Sequence, residues 1–154
     1  MRRLGMTAIL NVRHWVAASP EVVWQAYTTP EMFQQFFAPD GLHIPFDSIV
    51  MELVPGGRFD FDMVFDESGE VSPNRGYVVE LEPPHRMVFR EPEFMGNELM
   101  SKTTFTEEGQ GTLITVVQEG LPEELVGNPE VLEAFRSCYL KLGRLLDVAT
   151  ENRG

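Results

Sequence analysis

The sequence predicts an α+β fold: an antiparallel sheet of about six or seven strands, two short helices after the first strand, and one long helix near the C-terminus. Three observations carry that class. Arg58 to Phe65 alternates strictly, with Phe59, Phe61, Met63 and Phe65 on one side and Arg58, Asp60 and Asp62 on the other, the two-residue period of a half-buried strand. Three tripeptides of one form, Ser19-Pro20-Glu21, Thr29-Pro30-Glu31 and Asn128-Pro129-Glu130, read as helix starts. In each, a side-chain oxygen can cap free N–H groups, proline suits the first helical position, and glutamate favours the positive end of the dipole. Finally, the strands fall in one run between the second and third helices instead of alternating with helices, which argues for an antiparallel sheet.

In chain order, Ala8, Leu10, Val12, His14 and Val16 share the more apolar face of a first strand, with Ile9, Asn11, Arg13 and Trp15 opposite. Pro30 and Pro39 bound two short helices. Phe46 to Leu53 reads as a strand ending at Pro55-Gly56-Gly57, Asp66 to Asn74 as a polar loop, Gly76 to Glu82 as a strand stopped by Pro83-Pro84, and Arg86 to Arg90 as a short strand ended near Pro92. Leu99 to Thr106 and Thr112 to Glu119 form a hairpin around Glu107 to Gly111, and the acidic run Glu119 to Glu124 reads as a solubilising loop. The last helix is predicted from Pro129 to about Thr150. Its stripe of Leu132, Phe135, Tyr139, Leu142, Leu146 and Ala149 needs a partner, and a twisted, curved sheet can grip it along a concave side.

The 154 residues are expected to make one domain with its core in 7–150. With 24 acidic against 12 basic residues, a formal charge of −12, the chain repels phosphate backbones and anionic lipid, so neither nucleic acid nor a membrane is an expected partner. The start, MRRLGMTAIL, has too short and interrupted an apolar run for a leader or a span. A lone cysteine, Cys138, fits a reducing, cytoplasmic setting.

The order of elements, with Ser19-Pro20-Glu21-Val22-Val23-Trp24, Phe36-Phe37-Ala38-Pro39, Pro55-Gly56-Gly57-Arg58-Phe59, Glu80-Leu81-Glu82-Pro83-Pro84 and Thr103-Thr104-Phe105-Thr106-Glu107, resembles the START-like (SRPBCC) superfamily. Within it the sequence is similar to single-domain proteins related to the C-terminal domain of the activator of the heat-shock-protein-90 ATPase, from about Thr7 to Thr150. The resemblance implies a helix-grip fold, a curved sheet wrapped round the C-terminal helix, in which many members enclose an apolar cavity. It also implies a possible chaperone partner and a link to stress responses.

Two readings of the aromatic stretch stay open. The rings of Trp24, Tyr27, Phe33, Phe36 and Phe37, with Phe59, Phe61 and Met63 from the sheet, either interdigitate as ordinary core or line a chamber on the order of 300 to 1,000 Å³. His14 on the first strand, and Phe135, Tyr139 and Leu142 on the long helix, complete the candidate ligand-binding set. The expected function is non-covalent binding of a hydrophobic or aromatic molecule, a lipid or a polyketide-like metabolite. The alternatives are a cyclase or hydrolase using His14, Tyr27 or Tyr139 for proton transfer, and an interaction module for a chaperone or other protein.

No catalytic residue, cofactor or metal site is assigned. His43 and His85 read as solvated, Cys138 as a packed, unreactive thiol, and Asp60 and Asp62 as a solvated row beside Arg58. Gly143 either makes space on the long helix or admits a close neighbour. The chain is expected to be a monomer or a homodimer.

Overall fold

In the computed structural model, residues 6–154 are described; the opening stretch Met1–Gly5, read above as part of no leader, lies outside them. Among the described residues nine strands form one antiparallel sheet, with neighbours in the order β2-β4-β5-β6-β7-β8-β1-β9 and β3 beside β4. The strands are β1 (Thr7–Val16), β2 (Leu42–His43), β3 (Val50–Met51), β4 (Arg58–Phe65), β5 (Val71–Glu82), β6 (Arg86–Phe94), β7 (Asn97–Glu108), β8 (Gly111–Pro122) and β9 (Thr150–Asn152). The helices are α1 (Pro20–Thr28), α2 (Pro30–Phe36), α3 (Glu123–Val126) and α4 (Pro129–Leu146).

Local chemistry explains most of these elements. Ser19 Oγ accepts from Val22 N at 3.4 Å and Asn128 Oδ1 from Glu130 N at 2.9 Å, so two of the three expected caps form, while Thr29 makes no side-chain cap. The faces of β1 fall as read: Leu10, His14 and Val16 are buried, and Ile9, Asn11 and Arg13 are exposed. The long helix stops at Leu146 and not near Thr150, because Asp147 takes a left-handed conformation (φ 55°) and Val148 N bonds back to Gly143 O at 2.9 Å. The chain then returns as β9 against β1. A Cβ built on Gly143 would lie 2.3 Å from Thr150 Cγ2, so this glycine admits the returning tail.

Other boundaries shift for physical reasons. Phe46–Ser48 is a 3-10 turn and only Val50–Met51 pairs as a strand, because Ser48 closes the turn by donating to Pro45 O at 2.7 Å. The predicted polar loop is shorter, since β5 begins at Val71. Pro73 is tolerated there because this half of β5 pairs with β4 alone; pairing with β6 starts at Tyr77. Strand β6 passes Pro92 to Phe94 by means of an irregularity between Glu91 and Phe94. The acidic run becomes the end of β8 plus the short helix α3, with Leu121 buried. At Gly120 the β1–β8 register slips, between Ala8 and Ile9, and the glycine adopts φ +99°.

Asp60 corrects the solvated-row reading: it is 4% exposed, pairs with Arg58 and accepts from Gly76 N at 3.1 Å, while Asp62 pairs with Arg75 at 2.8 Å. The apolar stripe of α4 is narrower than read, with Tyr139 and Leu142 buried and Leu132 46% exposed at the rim.

Candidate functional site

The aromatic residues singled out from the sequence meet one another. Phe33, 1% exposed, stacks on Phe37 at 4.4 Å between centroids and meets Phe59 and Phe61 edge-on at 5.5 and 5.3 Å. Tyr27 meets Phe36 and Phe105 edge-on, each at 5.0 Å, and Trp24 meets Phe105 at 5.8 Å. Met63 packs against the Phe33 group, whereas Leu142 and Tyr139 belong with Tyr27 and Phe36 in a second cluster that Phe135 flanks. Such offset and edge contacts are those of a packed interior.

A recess of about 150 Å³ lies on the flank of α4 that faces β1, lined by Asn11, Val12, His14, Leu132, Glu133, Arg136, Tyr139, Asn152 and Gly154. His14 is fixed by pairing on both sides, to Ile114 of β8 and Asn152 of β9, and its ring stacks on Tyr139 at 4.7 Å with 14° between planes. Both rings are buried, 2% and 3% exposed. His14 Nε2 and the Tyr139 hydroxyl are shut from solvent and have no hydrogen-bond partner. The remaining buried atoms of that kind among the described residues, on Asp62, Glu108 and Arg153, sit in ion pairs at 2.8 to 3.4 Å. The two lining the recess are therefore the ones left without compensation, at about 1–3 kcal/mol each.

Burial, and secondarily the Arg136 cation, hold the His14 imidazole down at about 4. Burial pushes the Tyr139 hydroxyl well above its ordinary value, helped by Cys138. Both groups are thus uncharged near neutral pH. Tyr27 is raised for the same reason, and Cys138, whose Sγ reaches Phe37 O at 3.2 Å, is pushed up to about 12 by burial, in keeping with an unreactive thiol. His43 is exposed and pairs with Asp66 at 2.6 Å, and His85 is exposed.

A wider, open depression of about 370 Å³ follows the end of α4 along Gly143, Arg144, Asp147 and Thr150, and contains no unpartnered buried polar atom. The two unpartnered atoms of His14 and Tyr139 therefore belong to the lining of the narrower recess. Among the described residues no group of three or more His, Cys, Asp or Glu could hold a metal ion, and no helix is long and apolar enough to cross a membrane.

Glu91 escaped the sequence reading. It pairs across β6 and β7 with buried Leu99 and so faces inward, where burial, then the Asp60 carboxylate, raise it to about 7. A raised carboxyl favours folding below the unfolded pKa, and that contribution is lost as pH rises through 7. Glu91→Gln should accordingly raise the melting temperature at pH 8 and leave it unchanged at pH 4. Equal effects at both values in a calorimetric series would contradict this placement. His14 works in the opposite sense, its contribution being lost as pH falls from 6.5 towards 4.

Arg136, Asn11 and Asn152 were likewise missed as lining residues. They lie on three separate elements, and nothing in their spacing signals the meeting.

A curved antiparallel sheet closed over one long helix, with two short helices at one end, is the helix-grip fold of the START-like (SRPBCC) superfamily. The family model described as "Activator of Hsp90 ATPase homolog 1-like protein" matches residues 17–147, and the chain belongs to that family. Solved structures agree on the fold. A Chromobacterium violaceum protein superposes with TM-score 0.79 at 20% identity, covering 90% of this chain and 96% of that one. An AHSA1-like protein from Aeromonas hydrophila gives 0.72 at 19% identity, with 91% and 92% covered. DynU16, from the dynemicin biosynthetic locus, gives 0.67 at 21% identity, and there the match spans 90% of this chain but 47% of the other. A comparison with curated proteins returns no match.

Proposed function

We propose that this protein binds a small, mainly apolar molecule without covalent chemistry, at the seam between α4 and β1. One observation carries the reading: two stacked, buried rings, His14 and Tyr139, line one recess and each keeps a polar atom without a partner. Buried polar groups are nearly always paired, and exceptions call for a reason. A guest bearing a hydrogen-bonding group supplies one. It would reach the two atoms by parting α4 from β9, whose attachment to β1 is three residue pairs long.

The other residues of the candidate set serve this seat indirectly in our reading. Tyr27, Phe36 and Leu142 back Tyr139, Phe135 borders the same cluster, and Trp24, Phe33, Phe37, Phe59, Phe61 and Met63 brace the far end of the grip. Binding fits better than proton transfer. An imidazole near 4 is a weak base at neutral pH, and a phenol pushed upward is a weak acid. The dynemicin-locus relative is consistent with a small-molecule guest. The lone cysteine supports a cytoplasmic setting, and we take 7–150 as one functional unit.

Tyr139→Phe tests the proposal with two readouts of opposite sign. Removing an unpaired hydroxyl should stabilise the protein by about 1 kcal/mol, or roughly 3 °C in melting temperature. The same change should weaken binding of benzyl alcohol, followed by NMR, about tenfold. A variant that is less stable than the parent, or binds equally well, would falsify the assignment.

A further inference from the structure

We infer that the guest is a neutral molecule built on a single aromatic ring with one hydroxyl group, a class represented by benzyl alcohol; this rests on the binding reading above. Size comes first. The recess measures about 150 Å³, a volume that one benzene ring fills. Sites for larger metabolites and acyl chains run from about 300 Å³ upward. A seam that parts by little more than this favours one ring over the lipid and polyketide-like guests suggested by the sequence. Its lining combines the aromatic residues His14 and Tyr139 with apolar Val12 and Leu132, which suits a flat ring.

Charge gives an anionic guest no advantage. Arg136 and Glu133 supply the charged side chains of the lining and stand 3.7 Å apart, offsetting each other. A chain of formal charge −12 also repels anions at long range. The hydrogen-bond inventory then selects the polar group. Tyr139 Oη both donates and accepts, whereas His14 Nε2 of a neutral imidazole does one or the other according to tautomer. A hydroxyl, itself donor and acceptor, satisfies either arrangement. A carboxylate only accepts and an ammonium only donates, so each leaves one arrangement unmatched.

The test titrates the full chain with benzyl alcohol, toluene, benzoate, benzylamine and naphthylmethanol, reading the His14 and Tyr139 resonances. Benzyl alcohol should bind about tenfold more tightly than each of the others. Tyr139→Phe should bring its affinity down to that of toluene. If benzoate, benzylamine or naphthylmethanol binds as tightly while Tyr139→Phe still weakens it, the single neutral ring is refuted and the seat survives. If no compound moves either resonance, both the class and the seat are overturned.

Discussion

Phe33→Ala should lower the stability of the protein by about 3–5 kcal/mol, the cost of emptying a large aromatic site in a packed interior. Phe33 is 1% exposed, and four rings, those of Phe36, Phe37, Phe59 and Phe61, lie 4.4 to 6.1 Å from it, so no single neighbour can move in to fill the void. Denaturant unfolding with an unchanged slope is the measurement, and Leu140→Ala, at a side chain 43% exposed, is the control, with an expected loss below about 1 kcal/mol. A loss that small at Phe33 would mean that the rings do not interlock as described.

Gly120→Ala should cost roughly 3 to 5 kcal/mol, from two sources that add. The position has φ +99°, which a side chain strains, and the new Cβ would stand 2.1 Å from the carbonyl oxygen of Glu98, a backbone atom that cannot swing aside. Gly109→Ala separates the two terms, for it also has positive φ, +61°, but nothing within 4 Å of a built Cβ. That control should lose only about 1–2 kcal/mol. Equal losses at both glycines in chemical denaturation would show that the approach to β7 contributes nothing.

These two residues also mark what the sequence discloses. The ring of Phe33 could be placed in the interior from its helix, its period and its neighbours in the chain, because hydrophobic periodicity is a local property. The two-faced strands around Leu10 and Phe59 and the capped starts at Ser19 and Asn128 were legible for the same reason. Gly120 was not, since a bulge depends on how β8 meets two different partners. The strands that cross Pro73 and Pro92 were missed likewise: a proline ends a strand only where its N–H is needed, and pairing decides that. The candidate site was half legible. His14 and Tyr139 were both named, yet their stacking joins positions 125 residues apart, and the absence of a partner for Nε2 or Oη is a property of every atom around them. Glu91 shows the converse, a residue that looks like surface charge in the sequence and faces Leu99's side of the sheet in the fold.

The returning tail has a practical corollary for anyone handling the protein. Asn152 and Gly154 line the recess, and Arg153 between them pairs with Glu108 at 3.0 Å. If a guest binds as proposed, a purification handle fused after Gly154 would lie beside the recess and obstruct it. Screening for guests is best done with the fusion cleaved or moved to the opposite terminus.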